Sequence, residues 1–199
     1  MSAWRKSPAK WSAGISFNTY LLVAAGFIAL QALALLAMGQ PPICECGYVT
    51  LWSGSVSGPE NSQQLTDWYT YTHIIHGIAF YLILWLVAPA TPIGLRFAVA
   101  VGIEAGWEVF ENTPLIINRY REAALAQGYF GDSVINSLSD TVASVGGFVL
   151  ARTLPVWAIG VLVIAAELFS AYMIRDNLVL NIVQLIYPSE AISNWQVGS

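Results

Sequence analysis

Lysine does not occur in this sequence after Lys10, and the 199 residues carry only eight Lys and Arg against twelve Asp and Glu. Charged residues make up 10% of the chain, where a soluble domain carries roughly 25%. That deficit excludes a surface covered by water, so the bilayer must supply much of the solvent. With a net charge of −4, no basic patch and no RNA-binding signature, nucleic acid is excluded as a partner. Histidine and cysteine are as scarce, with two of each. No internal repeat or low-complexity tract interrupts the chain, which reads as one membrane domain over residues 1–199.

What is abundant is apolar: 56% of the residues are hydrophobic and the mean hydropathy is +0.60. Five spans stand out, at about 20–38, 69–88, 95–117, 132–151 and 156–174, each close to the roughly 20 residues a helix needs to cross the hydrocarbon. The expected fold is therefore an all-α bundle of about five transmembrane helices. Spans two and four are polar for membrane helices, which places them inside the bundle. Arg5, Lys6 and Lys10 precede span one, and Arg96 and Arg152 share its side, against Arg119, Arg121 and Arg175 on the other. The majority predicts a bacterial inner-membrane protein with a cytoplasmic N-terminus. Small residues around Ala37-Met38-Gly39 resemble a signal-peptidase site, but the apolar core exceeds the 7–15 residues typical of a signal peptide. An uncleaved anchor is expected.

A Gly-, Ser- and Pro-rich loop of residues 39–68 follows span one, long enough either to fold over the bundle mouth or to bind a protein partner. Its Cys44-Glu-Cys46 could bind a soft metal on the oxidising side of a membrane. The alternatives are a disulfide or two packed thiols, since two thiolates underfill a tetrahedral site and no His is near in sequence. The segment 176–199 is too short to cross back and is expected at the outer interface or capping the bundle, as an ordered tail with no part in the site.

Chemistry concentrates in three spans. EAGWEVFE, residues 104–111, places Glu108 about 40° and Glu111 about 20° to either side of Glu104 around a helix, one stripe of carboxyl groups. Span two opens with DWYTYTHIIHG, in which His73 and His76 are neighbours on one face. In span four, Asp132, Asn136 and Asp140 recur every four residues beside a stripe of Ser133, Ser137 and Thr141. Gly146 and Gly147 permit close helix approach deeper in. Because spans two and four enter from the side where span three leaves, the three polar faces share one depth range. An ionised carboxylate at a helix centre costs about 2.5–3.5 kcal/mol, so the cluster must be protonated, paired, hydrated or bound to metal. Interhelical hydrogen bonding suffices for Asn136, Ser137 and Thr141.

The rest are candidate site residues. Glu108, Glu111, His73, His76 and Asp140 are candidate catalytic groups, with Glu104 a lesser member because it lies deepest. His73, His76, Glu108 and Asp140 are candidate ligands of a divalent metal, and Arg119, Arg121, Asn136 and Asp132 candidate contacts to substrate. Such a site could activate water against a phosphate or ester of a lipid-linked substrate, with Arg119 or Arg121 on an anion. A metal-free variant would use a Glu as general acid or base. The same residues could instead bind a proton or metal ion without bond breaking, or the chain could be an assembly scaffold. HIIHGIAFY, EAGWEVFENT, GDSVINSLSD and YPSEAISNWQ together resemble a family of small alphaproteobacterial inner-membrane proteins described as a domain of unknown function. That resemblance implies location and no activity. A partial similarity to VanZ-like proteins, which also combine a His helix, an acidic helix and an Asp-x-x-x-Asn helix, breaks at the spacing around Arg119 and Arg121.

Overall fold

The structure is a computed structural model and describes residues 14–122, 125 and 128–198. Arg5, Lys6 and Lys10 lie outside the described residues. The chain is all-helical, in the order α1 (Phe17–Met38), α2 (Thr70–Val87), α3 (Ile93–Glu111), α4 (Pro114–Arg121), α5 (Val134–Thr153), α6 (Val156–Ile174), α7 (Leu178–Ile186) and α8 (Glu190–Val197). Among the described residues the one β feature is an isolated bridge between Trp52 and Thr66.

Four helices, α1, α2, α5 and α6, are long and apolar enough to cross a membrane. The outward sides of α1 and α6 leave Leu22, Leu30, Trp157 and Leu168 exposed, as lipid contact requires. The third span is shorter than expected: α3 stops at Glu111 rather than near Ile117. Pro114 lacks an N–H and disfavours helix at Thr113, so the chain breaks there and restarts as α4 with Pro at its first position. Although α3 has the length of a span, it carries Arg96, Glu104, Glu108 and Glu111, and packs chiefly against α1, with further contacts to α5 and α2.

The closest helix pair is α2 with α5. At their crossing a Cβ on Gly77 would overlap the carbonyl of Ser144, and one on Gly147 the carbonyl of Ile74. Backbone therefore meets backbone, the close approach that small residues permit between membrane helices. Gly146 faces open space instead.

The loop of residues 39–68 folds over one end of the bundle and completes the start of α5. Helix starts leave their first N–H groups without internal partners. Here Ser133 N donates to Ser62 O at 3.0 Å, Val134 N to Pro41 O at 2.8 Å and Ile135 N to Pro42 O at 3.2 Å. Asn136 N is capped by Ser133 Oγ. Cys44 and Cys46 form a disulfide within this loop, which settles the sequence alternatives in favour of the covalent one. All the chemistry described next lies at this loop-covered end.

Candidate functional site

His73, in the first turn of α2, reaches across to the last turns of α3. Its Nδ1 lies 2.7 Å from Glu104 Oε1 and 3.1 Å from Glu108 Oε1, and its Nε2 lies 3.9 Å from Asp140 Oδ2 on α5. His76, one turn further along, places Nδ1 3.3 Å from Glu104. His73, Glu104, Glu108 and Asp140 are all buried. Helical spacing in three separate segments thus delivers its polar groups to one point. Glu104, the deepest of the stripe, is the carboxylate that both histidines touch.

A neutral imidazole carries one N–H, and at His73 Nδ1 its geometry suits Glu104. Glu108 Oε1 then sits beside the same nitrogen, and Glu104 Oε2 beside His76 Nδ1 at 3.3 Å, each buried and without a hydrogen bond. The other side of Glu108 is held: Ser137 Oγ donates to Glu108 Oε2 at 2.7 Å. Ser137 in turn accepts from Gln31 Nε2 of α1 at 2.8 Å, and Thr141 Oγ1 donates to Gln31 Oε1 at 2.8 Å. Gln31 went unread in the sequence, although a lone amide in YLLVAAGFIALQALALLAM was its signal.

Two overlapping sets of ligand atoms, from His73, His76 and Glu104 and from His73, Glu108 and Glu111, each lie within 4.8 Å of one another. Two imidazoles with carboxylates make a donor set suited to zinc and other divalent first-row ions. Asp140 lies beside this set and accepts from Thr70 Oγ1 at 3.1 Å.

These groups edge a cavity of about 410 Å³. His73, His76, Glu111, Asp132 and Asp140 line its polar side, with Asn61 and Ser62 from the covering loop and Tyr69, Tyr120 and Tyr129 above. Phe80, Ile103, Trp107, Ile182, Leu185 and Ile186 form the apolar side. The residues of α7 thus belong to the cavity wall, and the C-terminal segment is more than a tail.

Asp132 accepts from Asn112 Nδ2 at 2.6 Å and from Tyr129 OH at 2.9 Å, so its carboxylate also fastens the approach to α5. Asn136 donates to Gln64 O at 2.7 Å and is absent from the cavity lining, a staple between α5 and the loop. The two arginines are also spent elsewhere. Arg119 Nε donates to Leu185 O at 2.9 Å and its Nη1 pairs with Glu122, while Arg121 Nε donates to Tyr129 O. Neither lines the cavity, and no Lys or Arg among the described residues does. Sequence proximity to the acids had suggested an anion clamp; the arginines are instead held by the Leu185 and Tyr129 carbonyls and the Glu122 carboxylate.

Residues 35–198 match the family described as "Protein of unknown function (DUF2585)". A UPF0314 protein of Sphingopyxis alaskensis is 51% identical over 93% of this chain and 98% of its own length. Those of Agrobacterium fabrum and Brucella anthropi are 48% and 44% identical, each over 98% of this chain and 94% and 96% of their own lengths. No solved structure matches the chain. With nearly its full length shared in this way, the chain belongs to the DUF2585, or UPF0314, family of alphaproteobacterial proteins.

Proposed function

We propose that this protein is a metal-assisted enzyme of the bacterial inner membrane, multi-pass with a cytoplasmic N-terminus. Its site opens on the periplasmic side and acts on an ester or amide of a membrane-derived amphiphile. The observation that carries the reading is the shared nitrogen of His73, set between two buried carboxylates of which one proton satisfies only one. A divalent cation held by His73, His76, Glu104 and Glu108 would neutralise both and use the two carboxylate oxygens that lack a hydrogen bond. Bound there, such an ion supplies an activated water at neutral pH.

The chain's own groups fit the remaining roles. His73 and His76 edge the cavity, so the cluster is open to a substrate. Asp140 and Glu111 line the same space and are placed to take or give a proton at the reacting group. The absence of arginine or lysine from the lining favours a carboxylic ester or amide over the phosphate considered from sequence. The distribution of basic residues and the Cys44–Cys46 disulfide, a bond that persists in oxidising compartments, support the periplasmic orientation.

A conduit is the weaker reading. Past the cluster the backbones of α2 and α5 meet at Gly77 and Gly147, and an apolar core of Ile78, Ala151 and Ile159 follows. A through-path for ions has no polar lining there.

The test is elemental analysis of protein purified in detergent after growth with added zinc or manganese, beside hydrolysis of a long-chain nitrophenyl ester. Parent protein is expected to hold about one divalent ion per chain. Glu104→Gln and Glu108→Gln should accumulate as folded protein, lose the ion and lose hydrolysis. A metal-free parent whose two Gln variants still complement a deletion strain would overturn the reading.

A further inference from the structure

The polar cluster occupies only one side of the cavity, and the other side leads away from water. Phe80 lies four residues beyond His76 on α2, and Ile103 four residues before Trp107 on α3. Along each helix that is about 6 Å further from the loop-covered end. The apolar wall therefore descends toward the middle of the bilayer.

It is also open sideways. α2 packs mainly on α5 and α3 mainly on α1, and the two meet each other over a smaller contact that includes His73 and His76 on Glu104. At the margin of the cleft Ile103 is 46% exposed, Ile182 45% and Ile186 75%. The far wall is α7, whose Leu178, Ile182, Leu185 and Ile186 recur at helical spacing on the cavity face. This short helix is pinned at both ends. The Glu167 carboxylate accepts from Leu178 N and Val179 N, each at 3.1 Å, and Arg119 holds Leu185 O.

Charge narrows the occupant further. Once Glu104 and Glu108 are assigned to a cation that His73 and His76 also hold, Glu111, Asp132 and Asp140 still line the cavity, with no Lys or Arg among the described residues opposite them. An anionic head group would meet three carboxyl groups with no Lys or Arg to offset them, beside a cation already neutralised by Glu104 and Glu108. The volume, about 410 Å³, falls near the low end of the roughly 300–1,000 Å³ of small-ligand sites, room for one chain and a small head.

We infer that the cavity takes a single-chain, non-anionic membrane amphiphile. Its hydrocarbon chain enters from the bilayer between α2 and α3 against α7, and its hydrogen-bonding head lies at the His73 cluster. What happens at the head rests on the enzyme reading above; the chain slot does not.

The experiment uses the full-length protein in phosphatidylcholine nanodiscs with a diazirine-bearing hexadecanol at low mole fraction, and maps labelled peptides by mass spectrometry. Labelling is expected to concentrate on the segments around Ile103 and Ile182 and to saturate with probe. Unlabelled hexadecanol should compete at least tenfold better than hexadecyl phosphate. Ile103→Trp with Ile182→Trp, which fills the slot, should cut labelling at α7 about tenfold while leaving that around Ile164 on the outer side of α6 unchanged. Unsaturable labelling spread evenly over α1 and α6 in the parent overturns the slot, whatever the double variant does. Equal competition by hexadecyl phosphate overturns the head-group class. The parent separates the two readings: saturable labelling without metal or turnover keeps the slot and removes the enzyme, and metal loading with activity but no saturable labelling does the reverse.

Discussion

Ser137 on α5 hands its only hydroxyl proton to Glu108 on α3, at 2.7 Å. The same oxygen is held from behind by Gln31 of α1. One hydrogen-bonded row thus ties α1 to the carboxylate beside His73, and several expectations come from it and from its surroundings.

Ser137→Ala removes a donor to Glu108 and leaves the Gln31 amide one acceptor short. The loss should lower stability by about 1 kcal/mol, in the range measured for hydrogen bonds within membrane bundles. Metal affinity should fall roughly 10- to 100-fold, as it does when groups that orient ligands are removed. Thermal unfolding and a metal-binding isotherm on one preparation check both. A loss of stability with unchanged affinity would make Ser137 a staple alone.

The α2–α5 crossing gives a sharper contrast. Gly147→Ala drives a methyl group into the carbonyl of Ile74, and the backbones must separate. Overpacking of this kind costs about 1–3 kcal/mol. Gly146→Ala, one residue earlier with nothing within 4 Å, should be neutral or slightly stabilising. Thermal unfolding midpoints of the two variants decide.

Asp176, just past the end of α6, gives a pH dependence. Burial pushes its carboxyl group up from 3.8 to about 6, against hydrogen bonds from Asn177 N and Tyr69 OH that favour the ionised form. The folded state then binds the proton more tightly than the unfolded chain. The stability this contributes is fully present below about pH 3.8 and is lost as pH rises through about 6. Asp176→Asn should therefore match the parent near pH 4 and unfold at a higher temperature than the parent near pH 7. A parent and variant that run parallel across this range would refute the account.

Orientation is checked through the disulfide. Cys46 is exposed and Cys44 buried. After treatment of intact spheroplasts with an impermeant phosphine, an impermeant maleimide should label Cys46 well ahead of Cys44. Labelling that requires lysis would move the site to the cytoplasmic face.

How legible all this was depends on the range of the interaction. The span at 156–174 coincides with α6, because an apolar run flanked by Pro155 and Arg175 has local boundaries. The third span overran by six residues, Ile117 against Glu111, because hydropathy outweighed Thr113-Pro114, a stop signal written in the chain. Helical periodicity also placed His73, Glu108 and Asp140 at one depth, since rise per residue needs no tertiary information. The same reasoning ranked Glu104 low and could not see both histidines turning to it. The arginines were misread for the opposite reason. Arg119 is close to the acids in sequence, yet its partner carbonyl at Leu185 arrives only when α7 folds back. The part of α7 in the cavity is long-range in the same way.

The capping of α5 by the covering loop also sets an order of assembly. Ser133 and Gln63 are partners 70 residues apart, and at ribosomal speeds of about 5–20 residues per second the loop waits roughly 4–14 s for the helix start it completes. During that interval α1 and α2 are already made, while the carbonyls of Pro41, Pro42 and Ser62 have no α5 to accept from. A nascent chain released between residues 111 and 133 therefore has both histidines and all three glutamates of the stripe, and a covering loop not yet fastened to α5. The start of α5 closes that interval, when its first N–H groups meet the waiting carbonyls of the loop.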